Sequence, residues 1–226
     1  MKAMVLAAGR GERMGELTRN CPKPLLKIAR KPLLQHHLER LVAAGFDDVV
    51  VNAFYRAEDI EDFLQGWHDD RMQVHLVTEP ELLETGGGIY NALTLLGEQP
   101  FLAINGDVWT DYPLASIVQK SREFASTNDL ARLILVGNPD HNTGGDFALT
   151  AEGRVQNQGA DLLTFSGLSV LAPALFRDCA PGRFPLGPVL RQAIERDQVS
   201  GEFYAGYWVD VGTPERLQRV EQNLKE

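Results

Sequence analysis

The sequence predicts an α/β fold: a mainly parallel sheet with helices on both faces, a mixed second half, and a single domain throughout. Three observations predict it. Short apolar runs rich in Val, Ile and Leu recur through the first 136 residues, helical patterns fall between them, and beyond Gly137 the segments shorten and glycines punctuate them. A chain of 226 residues with 44% hydrophobic residues can bury one full core.

Residues 3–6 carry no charged or polar side chain, as a strand buried on both faces requires; residues 49–51, 101–104 and 133–136 repeat the pattern, and residues 74–77 do so apart from His75. Between the first two runs, residues 32–44 set Leu34, Leu38, Leu41 and Val42 on one helical face, with Pro32 at the start and Gly45 past the end. Residues 58–64 and 89–96 read as further helices. In the second half, residues 147–150, 164–171 and 207–211 read as strands with antiparallel pieces, and residues 186–195 and 214–224 as closing helices. No internal repeat, low-complexity tract or linker interrupts the chain. Ligands of such sheets bind beyond the carboxyl ends of the strands, where the first Gly-rich loop lies.

Charge narrows the function. Residues 1–31 hold eight Lys or Arg against Glu12 and Glu16, whereas the whole chain carries a net charge of −9. An acidic protein with one basic, Gly-rich turn suits a compact polyphosphate and disfavours DNA or RNA, which draw affinity from many phosphates along a basic face. No apolar run approaches the roughly 20 residues of a membrane span, and the start MKAMVLAAG does not read as a signal peptide, so a cytoplasmic protein is expected. Cys21 and Cys179 lack metal-ligand spacing and are expected to be thiols. The five histidines, His36, His37, His68, His75 and His141, form no catalytic or metal-like cluster by spacing.

Residues 6–26, LAAGRGERMGELTRNCPKPLL, carry the chemistry. Gly9 and Gly11 let backbone N–H groups approach phosphate oxygens, and Arg13 adds a planar fork of donors. Pro22 and Pro24 brace Lys23, and they predict an extended, stiff segment around it. The loop is neither a P-loop nor the three-glycine dinucleotide fingerprint.

L-A-A-G-x-G-x-R-M followed by P-K-P-L resembles the signature of the sugar-1-phosphate nucleotidyltransferases. Asn105-Gly106-Asp107 after an apolar run, and the stretch from Tyr207 through Asp210 to Pro214, extend the resemblance nearly to the end of the chain. It implies a Rossmann-like nucleotide-diphospho-sugar transferase fold and a reaction joining a nucleoside triphosphate to a sugar 1-phosphate with release of pyrophosphate. It also implies a nucleotide site at Gly9, Gly11, Glu12, Arg13 and Lys23, with Arg13 and Lys23 catalytic, and Mg²⁺ on Asp107 and Asp210. Hard carboxylate oxygens suit Mg²⁺, which keeps several waters and bridges to phosphate. The nucleophile is already an anion and needs no general base.

Glu84-Thr85-Gly86-Gly87-Gly88-Ile89 is expected to open a helix, with Gly87 against the base. Asn105, Asp146 and Trp208 are expected at the sugar. ETGGGI, NGDVWTDY, GGDF, TFSGLSV and YWVDVGT are most similar to the branch acting on UTP and N-acetylmuramate 1-phosphate in peptidoglycan recycling. The branch making GDP-mannose is next, and a non-catalytic nucleotide-sugar sensor or a nicotinamide-dependent oxidoreductase is the rival from another class. The left-handed β-helix of longer bifunctional members, with its acetyltransferase activity, is not expected. Three departures stand out: Glu16 replaces a usual proline, Arg30 a frequent glycine, and residues 154–163 lack the usual E-K-P lysine.

Overall fold

The structure, a computed structural model, describes residues 1–224, apart from the side chain of Arg122. β1 (Lys2–Leu6) leads through a short helix α1 (Glu16–Arg19) to a small hairpin, β2 (Lys27–Ile28) and β3 (Lys31–Pro32), and then α2 (Leu33–Ala43). β4 (Asp48–Ala53), α3 (Ala57–Gly66), β5 (Gln73–Thr78), α4 (Glu84–Leu96) and β6 (Phe101–Asn105) follow. Next come β7 (Val108–Thr110), α5 (Leu114–Ala125), β8 (Ala131–Val136), β9 (Ala148–Leu149), β10 (Val155–Gln156) and β11 (Thr164–Leu171). α6 (Leu186–Glu195), β12 (Val199–Tyr204), β13 (Trp208–Asp210) and α7 (Pro214–Asn223) complete the described chain.

Seven strands form one sheet in the order β12-β8-β11-β6-β1-β4-β5. β11 alone runs against its neighbours, because it pairs antiparallel with both β6 and β8 while the other ladders are parallel. The strands are apolar on both faces because both faces are covered. Ala3, Val5, Val49 and Val51 face a core shared with Leu34, Leu38 and Leu41 of α2 and Ile60 of α3. Met4 and Val50 face the opposite core with Ile89, Ala92 and Leu96 of α4 and Leu190 and Ile194 of α6. Alternate residues of one strand thus serve two cores, which is why the apolar runs are continuous.

The chain passes from β1 outward to β4 and β5 and then returns to the other side of β1 as β6. That reversal opens a crevice between the carboxyl ends of β1 and β6. Leu6 and Asn105 are partners in the ladder there, and the Gly106 N–H donates to the Leu6 carbonyl at 2.8 Å. The loops holding Gly9 to Lys23 and Gly106 to Asp107 therefore leave the sheet side by side.

Among the longer elements α5 and the edge strand β12 were not anticipated, nor were the short α1, β2, β3, β7 and β10. β12 places Glu202 beside Lys120 of α5 at 2.6 Å and Arg132 of β8 at 2.7 Å, and the Tyr112 hydroxyl also donates to it. Burial alone would raise the Glu202 pKa, but hydrogen bonds from Lys120, Tyr112 and Arg132 outweigh it and hold the carboxyl down at about 2. A folded-state value below the unfolded one stabilises the protein above the ordinary Glu range, and the contribution fades as pH falls from about 4.5 toward 2. At neutral pH this amounts to about 3 kcal/mol. Glu202→Gln should lower the melting temperature at pH 7 by roughly 5–10 °C. More than half of that gap should close by pH 3 in circular-dichroism melts, whereas a pH-independent gap would remove the assigned role.

Candidate active site

A cavity of about 690 Å³ occupies the crevice, walled by the loop after β1, Lys23, Asn105 to Asp107, the start of α4, Arg183 and Gly212. Its floor is the sheet edge. The Asn52 side chain accepts from the Ala7 N–H at 2.8 Å and donates to Glu79 at 2.6 Å, and Glu79 accepts from the Leu83 N–H at 3.1 Å. This buried chain of bonds ties the ends of β1, β4 and β5 to the start of α4.

Gly9 and Gly11 take different parts in the loop. A Cβ on Gly9 would meet no atom within 4 Å, so the backbone there faces the open cavity. Gly11 has φ +66°, where a side chain is strained, and a Cβ would approach Thr18 Cγ2 at 2.9 Å and Lys23 Cβ at 3.1 Å. The buried Thr18 hydroxyl donates to the Gly11 carbonyl at 2.9 Å. Glu12 and Arg13 line the cavity within the short 3-10 turn Glu12–Met14 that follows.

Lys23 is held differently from the extended segment expected. Pro22 is extended, but Lys23–Leu25 forms a 3-10 turn closed by the Leu25 N–H donating to the Pro22 carbonyl at 2.8 Å. Pro24 lies inside that turn, where its missing N–H costs nothing and its fixed φ favours the bend. The stiffness remains, and the lysine side chain, only 10% exposed, reaches Asp107 with Nζ 2.6 Å from Oδ2.

The second conserved-type motif arrives through β13. Asp210 pairs in register with Val108 of β7, and the Val211 N–H donates to the Asp107 carbonyl at 2.7 Å, so Asp107 and Asp210 stand on adjacent backbones. Asp210 accepts from Arg216 of α7, and His141 Nε2 lies 3.0 Å from its Oδ1. Among the described residues no group of three or more His, Cys, Asp or Glu is arranged to enclose a metal ion. His37 fixes the turn from beneath. Burial first, then the nearby Arg40, lowers its pKa to about 4, and its ring N–H donates to the Gly106 carbonyl at 3.3 Å.

Other expected residues stand apart from the cavity. α4 begins at Glu84, so Gly86, Gly87 and Gly88 lie inside the helix. A Cβ on Gly87 would stand 2.2 Å from the Gly182 carbonyl, one on Gly86 2.6 Å from the Phe184 ring, and one on Gly88 2.7 Å from Glu79. These glycines admit protein neighbours, and Glu84 and Thr85 face the cavity instead. Asp146 accepts from the Phe165 N–H at 2.8 Å and the Asn142 amide at 3.1 Å, and Trp208 Nε1 donates to the Ser166 carbonyl at 2.8 Å. Neither lines this cavity, whereas Asn105 does.

Glu16 pairs with Arg19 at 2.6 Å on the surface, away from the cavity wall. Arg30 occupies a hairpin position with φ +71°, which accounts for the glycine usual there. Cys21 and Cys179 are free thiols. Arg183, Arg216 and His141 were missed, since their partners Glu84 and Asp210 are distant in sequence or lie across a turn.

The nucleotidyl transferase family profile matches residues 2–157. The N-acetylmuramate alpha-1-phosphate uridylyltransferase of Neisseria meningitidis serogroup B is 44% identical, over 98% of this chain and 97% of its own length. The mannose-1-phosphate guanyltransferase of Hypocrea jecorina is 29% identical over 95% of this chain and 61% of its own. A solved UDP-glucose pyrophosphorylase complexed with UDP-glucose superposes with a TM-score of 0.81 at 19% identity, covering 99% of this chain and 98% of that one, and shares the fold. With the profile spanning more than half of its residues and a relative matching along nearly its whole length, this chain belongs to the nucleotidyl transferase family.

Proposed function

We propose that this protein transfers a uridylyl group from UTP to N-acetylmuramate 1-phosphate, releasing pyrophosphate and forming UDP-N-acetylmuramate for peptidoglycan recycling. The observation that carries the reading is the meeting of Lys23 with Asp107 at 2.6 Å on the wall of the switch-point cavity, in a chain 44% identical to such an enzyme along nearly its full length. The N-terminal half holds the nucleotide in this reading, and the C-terminal half turns toward the sugar.

Asp107 and Asp210 fit Mg²⁺. They offer hard oxygen donors from the β6–β7 turn and from β13, on adjacent backbones, and a two-carboxylate site without an all-protein cage suits an ion that takes its remaining ligands from water and phosphate. When bound, Mg²⁺ neutralises phosphate charge and helps to align the two reacting phosphates. The chain's own groups do the rest. The open backbone at Gly9 and the loop N–H groups receive the triphosphate, and Arg13 adds a bidentate donor. Asp107 would be the residue to hold the metal, and Lys23, its present partner, would then be free to bind phosphate. An oxygen of the sugar phosphate then attacks the α-phosphorus, and the bond to the β-phosphate oxygen breaks with its electron pair leaving on pyrophosphate. No proton transfer is needed, so the reaction is governed by positioning and charge neutralisation.

A substrate panel scored by pyrophosphate release tests the proposal. With Mg²⁺, UTP and N-acetylmuramate 1-phosphate should give the fastest turnover, and chelation should abolish it. Preference for GTP with mannose 1-phosphate would overturn the substrate assignment.

A further inference from the structure

Arg216, like Arg10 and Arg183 of the cavity wall, is a cation that the proposed chemistry leaves unused, and it alone of the three is bonded to Asp210. Its guanidinium lies with Asp210 and His141, Nη1 being 2.9 Å from His141 Nε2, and its side chain is only 16% exposed. A Cβ placed on Gly212 would stand 2.6 Å from Arg216 Nη2 and 3.1 Å from Arg13 Nη2. Two guanidinium groups thus converge over one glycine of the cavity wall. Arg216 has Asp210 as its counter-charge and Arg13 is exposed, and two guanidinium groups facing one glycine offer their donors to a shared anion.

Arg13 and Lys23 belong to the loop that receives the triphosphate, whereas Arg216 comes from α7 and reaches the site beside Asp210. The region 154–163 provides no cation for that side. Arg154 is its one basic residue, and it is engaged with Asp129 and Asp197, each at 2.8 Å. Two phosphates must nevertheless meet at the α-phosphorus, and the incoming one needs its own cation to offset their repulsion.

We propose that Arg216, steadied by His141, binds the 1-phosphate of the sugar substrate. In the metal-free protein Asp210 holds Arg216 in readiness. Were Asp210 to hold a metal, the guanidinium would be free to turn toward the attacking phosphate, and its planar fork would keep two donors available. A Cβ on Gly212 would displace the tip of Arg216 and crowd that of Arg13, so glycine leaves both guanidiniums where they stand. The lactyl carboxylate is borne on O3, away from the reacting anomeric phosphate, and is a poorer partner for a cation beside the metal carboxylates. This assignment rests on the reading of the site as a sugar 1-phosphate nucleotidyltransferase.

The test compares wild type, Arg216→Ala, Arg216→Lys and His141→Ala. Each is titrated calorimetrically with N-acetylmuramate 1-phosphate and with N-acetylglucosamine 1-phosphate, in the presence of Mg²⁺ and a non-hydrolysable UTP analogue. Steady-state kinetics and thermal melts accompany the titrations. Arg216→Ala should weaken binding of both sugar phosphates at least about tenfold, with affinity for the UTP analogue changed less than about threefold. Arg216→Lys should recover part of the loss, and His141→Ala should show a smaller one. Equal loss of nucleotide and sugar binding would make Arg216 a clamp on Asp210 and overturn the proposal. Loss confined to the muramate compound would assign Arg216 to the carboxylate and likewise overturn it. Wild-type protein that binds these ligands but releases no pyrophosphate would sink the reaction, while the binding comparison would still decide the place of Arg216.

Discussion

Asp107→Asn is expected to lower turnover by roughly a thousandfold or more, since a carboxylate that anchors a divalent ion contributes several kcal/mol to the transition state and each 1.4 kcal/mol is a factor of ten. The fold should survive. Asn keeps an oxygen near Lys23 Nζ, now 2.6 Å from Asp107 Oδ2, but the charge of a lysine side chain only 10% exposed loses its partner. That loss is worth about 1–3 kcal/mol, or a fall of roughly 3–10 °C in melting temperature. A third consequence separates this residue from an ordinary structural carboxylate. Freed from Asp107, Lys23 remains available to phosphate, so metal-free UTP should bind the variant at least as tightly as wild type. Turnover within tenfold of wild type would remove Asp107 from the metal site, and weakened metal-free UTP binding would mean that the ion pair positions Lys23 for the nucleotide.

How much of this was legible in the sequence depends on whether a signal is local. β1, β4, β5, β6 and β8 were readable because a strand covered on both faces must be apolar at consecutive positions. β11 was readable over its whole length although Thr164, Ser166, Gly167 and Ser169 interrupt its apolar residues, because Thr, Phe and Val favour a strand. β12 was hidden by Glu202, whose partners Lys120 and Arg132 lie 82 and 70 residues away and make a charge acceptable in a half-buried strand. The first turn of α4 was obscured by three glycines, poor helix formers whose purpose appears only when Phe184, Gly182 and Glu79 pack against them. α5 carried a signal that went unused: Pro113 precedes it, and Leu114, Ile117 and Phe124 turn inward. In the site, Gly9, Gly11, Lys23 and Asp107 were expected together from local motifs, and the structure brings them to one cavity. The spacing of the histidines does exclude a cluster among themselves, yet His141 finds its partners in Asp210 and Arg216, which no histidine count can reveal.

Lys23→Met is the sharper test of the phosphate site, because it removes charge while keeping most of the side chain's length and apolar stem. Lys23 sits in the 3-10 turn between Pro22 and Leu26 with its Cβ beside Gly11, so the backbone around it is set by the turn and not by the ion pair. Methionine should therefore occupy the same channel. Asp107, whose side chain is 30% exposed, can recover water as a partner, and stability should change little compared with Asp107→Asn. Catalysis should suffer far more. Removing one preorganised charge-stabilising group costs about 10²–10³-fold in kcat. The KM for UTP should rise as well, because the lysine contacts phosphate in both the ground and the transition state. Lys23→Arg should not rescue it, since the larger guanidinium would have to fit a channel already closed by the proline-braced turn and Gly11. Steady-state kinetics with calorimetric UTP titration reads these effects, and near-normal kcat in Lys23→Met would show that the phosphates are neutralised without this lysine.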